Sequence, residues 1–115
     1  MNSDPNFTTS TQEMGLLSVV SNNDVVYISY TIQDDDTHNQ ILVVDEYSIT
    51  FNKIRNIIRI GSNWASNGHN AGTLTFDEFG KLYLSVGDQQ PPADSEHPAQ
   101  NLGLWQGKIL RFDVA

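Results

Sequence analysis

No stretch of this chain sustains a helical repeat. Its apolar residues fall in short runs rich in β-branched and aromatic side chains, separated by groups of Asn, Asp, Gly and Ser. That punctuation is the signature of strands joined by turns, and it makes the chain nearly all β. Leu16 to Val20 is a first strand, broken only by Ser18. Val25 to Ile32 is a second, with Val26, Ile28, Tyr30 and Ile32 on one face and Tyr27, Ser29 and Thr31 on the other. Ser21-Asn22-Asn23-Asp24 between them supplies turn chemistry, so the pair reads as a hairpin.

Further strands are expected at Ile41 to Val44, with an extension through Tyr47 and Ile49, and at Ile57 to Ile60. A second hairpin follows the Gly/Asn/Ser-rich stretch 61–72. Leu74 and Phe76 lead into the turn Asp77-Glu78-Phe79-Gly80, and Leu82, Leu84 and Val86 lead out. After a Pro-containing loop, residues 89–101, the segment Lys108 to Val114 alternates as a last strand. Strands at this spacing without intervening helices fit a sandwich, a small barrel or propeller blades. One internal echo favours blades: Asp24 to Ser29 and Gly80 to Ser85 share a polar turn followed by apolar, Tyr, apolar, Ser. Their offset is longer than the ~40–50 residues usual for a blade repeat.

The length of 115 residues predicts one domain, with residues 1–13 as a flexible N-terminal segment and 14–115 as the folded part. Fourteen acidic side chains against six basic ones give a net charge of −8, which argues against a phosphate-backbone binder and so against nucleic acid as partner. With no Cys there is no disulfide framework, thiolate zinc site or thiol nucleophile, and chemistry is left to oxygen and imidazole groups. The opening residues MNSDPNFTTSTQE have no basic n-region or apolar h-region, so they do not read as a secretory signal. No apolar run approaches the ~20 residues of a membrane span.

Three His make a short inventory of candidate bases. His38 beside Asp34-Asp35-Asp36 and His97 in the Pro-rich loop read as solvated. The Asp triplet itself reads as a charge-tipped loop, lacking the spaced ligands of a calcium loop. His69 differs, standing in Ser66-Asn67-Gly68-His69-Asn70-Ala71-Gly72, where small residues permit close approach, just before the second hairpin. The outgoing arm of that hairpin ends in Val86-Gly87-Asp88, and a hairpin returns its second strand to the start of its first. Asp88 should therefore come back near His69, where a carboxylate would fix the imidazole tautomer and stabilise the imidazolium. The competing reading is a His-containing loop beside an Asp that caps a turn.

These residues also carry a resemblance. Gly15-Leu16-Leu17-Ser18-Val19-Val20, Val26-Tyr27-Ile28-Ser29-Tyr30-Thr31, His69 to Phe76 with Gly80 to Asp88, and Gly107 to Val114 follow one another in order. Together they resemble the soluble quinoprotein sugar dehydrogenases, the glucose/sorbosone dehydrogenase family that uses pyrroloquinoline quinone (PQQ). The resemblance implies a six-bladed β-propeller with the quinone in its axial cleft. It implies that His69 is the general base for the anomeric hydroxyl of a sugar while the C1 hydride passes to the quinone, and that Asp88 orients His69. Glu13 stands where the family places a cleft-facing Gln or Glu, and Gln89 is a neighbour on the substrate side. It also implies a periplasmic or extracellular protein.

The chain departs from that pattern in three places. Ala71 replaces the usual Gly, which matters if the backbone there needs positive φ. The segment after Val20 is shortened. The basic residues that grip the PQQ carboxylates, and the calcium contacts, come from later blades in the family and have no counterpart here. At ~40–50 residues per blade the chain makes about two to three blades, whereas closed propellers need roughly four to eight. The expectation is an incomplete propeller, an N-terminal piece of a longer enzyme, inactive alone and prone to self-association through exposed blade edges. Two other functions share the scaffold: a non-catalytic recognition propeller like the hedgehog-interacting relatives, and a calcium-dependent lactonase-type propeller. The latter leaves the His-Asn-x-Gly block unexplained.

Overall fold

Residues 15–37, 39–62, 68–91 and 97–115 are described by a computed structural model. Among them are seven strands: β1 (Leu16–Asn22), β2 (Val25–Gln33), β3 (Gln40–Ser48), β4 (Lys53–Gly61), β5 (Ala71–Phe76), β6 (Leu82–Val86) and β7 (Lys108–Phe112). They form two antiparallel sheets, one of four strands in the order β1-β2-β3-β4 and one of three in the order β5-β6-β7. A 3₁₀ turn, Pro98–Gln100, interrupts the loop before β7. No helix among the described residues is long and apolar enough to cross a membrane.

Both expected hairpins form, for local reasons. Asn22 pairs with Val25 across a turn in which Asn23 takes a left-handed φ of 56°, a region Asn tolerates. At the β5–β6 turn the Asp77 carboxylate accepts the Phe79 and Lys81 N–H groups and the Tyr83 hydroxyl, and Gly80 supplies φ 80°. The strand β4 starts at Lys53, earlier than the Ile57 expected from hydrophobicity. Its polar first half is held by partners on β3: Lys53 reaches Asp45 at 3.4 Å and Arg55 reaches Glu46 at 3.2 Å.

The strands β2 and β3 are buried on both faces. Towards the second sheet, Tyr27, Leu42, Val44 and Ile60 meet Leu74, Leu82, Leu84 and Val86, with the Tyr27 ring edge-on to Phe76. The opposite face of the first sheet gathers Ile28, Tyr30, Ile32, Val43 and Tyr47. Ser29 and Thr31 are fully buried on the Tyr27 side because their hydroxyls serve backbone. Ser29 Oγ donates to the Gly72 carbonyl at 2.5 Å, and Thr31 Oγ1 accepts the Gly15 N–H at 2.7 Å. The Ser18 hydroxyl accepts the Leu74 N–H. These small polar residues let β1 and β2 approach β5, and so fix where the hairpin that carries His69 and Asp88 sits.

Candidate active site

Ala71 and Val86 are the last paired residues of the β5–β6 ladder, yet the two chains stay together beyond it. The Gly87 N–H donates to the Asn70 carbonyl and the Gln89 N–H to the His69 carbonyl, both at 3.0 Å. This approach requires glycine at 87, since a Cβ there would collide with the His69 carbonyl. The backbone on either side is contorted: His69, Ala71, Gln89 and Gln90 all have φ between 55° and 57°. Four non-glycine residues in the left-handed region, clustered at one spot, are costly and persist only where the surroundings hold them.

The result is the contact expected from the hairpin argument. His69 Nδ1 lies 2.8 Å from Asp88 Oδ1, with both side chains partly open to solvent. Partial burial pushes the Asp88 carboxyl up, but the Gln90 N–H, at 2.9 Å from Oδ1, and the His69 ring together hold it below the usual carboxylate range. An ionised carboxylate can only accept hydrogen bonds, so Nδ1 carries a proton, and in the neutral ring the lone pair falls to Nε2. This arrangement presents Nε2 as a base and gives the imidazolium formed on protonation a neighbouring negative charge.

Beneath the pair lie buried amides, of which sequence reading singled out neither Gln40 nor Gln106. Gln40 and Asn70 are fully buried, and Gln40 Oε1 accepts from Asn70 Nδ2 at 2.9 Å while its Nε2 donates to the Gly68 carbonyl. Gln89, placed by sequence on the substrate side, is also fully buried. Its side chain turns inward, donating to the Ile60 carbonyl and accepting from Gln106 Nε2, which donates to the Gly61 carbonyl as well. A lone Gln in a loop or at a strand end carries no signal of such a role, because its partners are backbone carbonyls far away in sequence.

Other sequence candidates are placed differently. Glu13 and His38 lie outside the described residues. His97 is exposed at the start of the 3₁₀ turn and makes no capping bond through its side chain. Asp34 turns its carboxylate onto the N–H groups of Asp36 and Thr37, capping its own loop. Two open clefts flank Gly61, lined by Arg59, Leu104, Trp105 and Gln106 on one side and Asp34, Thr37, Asn39 and Ile41 on the other; neither is lined by His69 or Asp88.

Among the described residues, the basic side chains do not gather as a grip for a polycarboxylate quinone. Lys53, Arg55 and Lys81 are paired with Asp45, Glu46 and Asp113, and the Lys108 ammonium sits on the Pro98 and Gln106 carbonyls. Arg59 and Arg111 belong to different sheets. Among the described residues, no three His, Asp or Glu side chains gather as a cation site.

No curated protein matches this chain. The glucose/sorbosone dehydrogenase family matches residues 5–115, a span that takes in both sheets, His69, Asp88 and the four blocks from Gly15 to Val114. By that match, over nearly its whole length, the chain belongs to the glucose/sorbosone dehydrogenase family.

Proposed function

We propose that these residues supply the acid–base half of an aldose oxidation, with His69 Nε2 as the base and Asp88 as the group that orients it. The observation carrying this reading is the 2.8 Å contact between His69 Nδ1 and Asp88 Oδ1, which leaves Nε2 the basic atom of a ring that is about half exposed. Converting the anomeric hydroxyl to a carbonyl removes a proton from oxygen and a hydride from C1. His69 takes the proton, and the adjacent carboxylate stabilises the charge it acquires. PQQ, on which this family depends, would supply the hydride acceptor. The two sheets correspond, in this reading, to successive blades of the family's propeller, Glu13 faces the sugar, and the protein works in the periplasm or outside the cell.

The test is aldose-dependent dye reduction, with PQQ and calcium supplied, by these residues joined to the later blades of a family propeller. Replacing His69 by Ala should lower turnover by about 10²-fold or more, the usual loss on removing a general base. Turnover within a factor of two of the parent protein would remove His69 from the mechanism.

A further inference from the structure

The His69–Asp88 pair sits on one sheet, but the side chains that hold its backbone come from the other sheet and from the loop before β7. Gln40 opens β3, and its single amide grips both flanks of His69, the Gly68 carbonyl before it and the Asn70 side chain after it, each at 2.9 Å. Gln106 does the same for the residue following Asp88, joining Gln89 Oε1 at 2.9 Å to the Gly61 carbonyl at 2.8 Å. Gln89 adds its own bond to the Ile60 carbonyl and, through its N–H, one to the His69 carbonyl. Gly61 pairs with Ile41 across β3 and β4, so both attachments end at the same end of that strand pair.

We propose that Gln40 and Gln106 are positioning residues: two buried amide clamps that fasten the loops of His69 and Asp88 to one end of the β3–β4 pair and so set the 2.8 Å contact between them. The physical need is visible in the backbone. His69 and Gln89 are both left-handed, at φ 55° and 57°, a conformation that crowds the Cβ of an L-residue, and such residues hold only when neighbours over-determine them. A primary amide suits the task because it offers donor and acceptor on one rigid group. A carboxylate would lose the donor, and an apolar side chain would remove the bond to the Gly61 carbonyl or leave the carbonyl of buried Gly68 without its bond.

The consequence for catalysis rests on the aldose-oxidation reading above, but the geometric claim does not, and two measurements separate them. Ring ¹⁵N shifts of His69 report which nitrogen carries the proton, with no cofactor or sugar present. In the parent protein Nδ1–H should predominate. In Gln40→Met and Gln106→Met it should fall to a minority, while exposed Gln100→Leu leaves it unchanged. Joined to the later blades of a family propeller, with PQQ, calcium and aldose, each Met variant should lose about 10–100-fold in kcat at unchanged KM, as mispositioned catalytic groups do. Ring shifts like the parent's in both folded Met variants overturn the proposal. So does global unfolding of both, which would make the amides general supports of the fold. Altered ring shifts together with no aldose oxidation by the blade-completed protein would uphold the clamps and reject the sugar reading.

Discussion

Ala71 adopts φ 56°, at the position where the family resemblance expects glycine. The left-handed region costs an L-residue about 1–2 kcal/mol, and a glycine gives back part of that gain through its freer unfolded chain. Ala71→Gly should therefore raise stability by up to about 1 kcal/mol, read as a higher urea midpoint at unchanged slope; a lower midpoint would show that the strain at 71 is not felt. His69 and Asp88 were legible at this scale because a hairpin brings its ends together whatever surrounds it. Gln89 was not, since facing inward or outward depends on what packs behind the loop, and here that is Gln106, 17 positions away.

Among the elements, β3 bears the most polar weight. Asp45 and Glu46 are adjacent on the strand and buried, and each is answered by a tyrosine hydroxyl and a cation. Tyr30 and Lys53 serve Asp45; Tyr27 and Arg55 serve Glu46. Burial, then the hydrogen bond and the charge of Glu46, push the Tyr27 hydroxyl up to about 12, with Arg55 opposing. In the unfolded chain a tyrosine ionises near pH 10, so the folded state holds this proton more tightly. The resulting stabilisation is complete below about pH 10 and disappears as pH rises through about 12, on the order of 2–3 kcal/mol in all. Urea unfolding at pH 9 and pH 11.5 should show a drop in the parent protein that is smaller in Tyr27→Phe. An equal drop in both would detach the alkaline loss from Tyr27. The same carboxylates explain why β4 was under-read: Lys53 and Arg55 look like loop residues until β3 supplies their counter-charges. A two-residue alternation rule registers hydrophobicity and cannot register a partner on the next strand.

Across the whole molecule the two sheets share one apolar layer, and Arg55 adds a polar tie by donating to the Val114 carbonyl beyond β7. Leu84, fully buried at the centre of β6, packs in the same cluster as Leu42 and Val44. Leu84→Ala should cost about 2–5 kcal/mol, and hydrogen exchange should show protection falling in β2 and β3 as well as in β6. Loss confined to β5, β6 and β7 would mean that the sheets unfold independently. By itself the sequence determined the strands apart from the charged first half of β4, the two hairpins and the meeting of His69 with Asp88, because period-two patterning, turn residues and chain reversal are local. Tertiary structure alone decided that both faces of β2 and β3 are buried, that β4 carries charge into its pairing, and that Gln40 and Gln106 reach the site from outside its hairpin. Those outcomes depend on which groups meet across sheets, where desolvation makes every buried amide and carboxylate demand a partner.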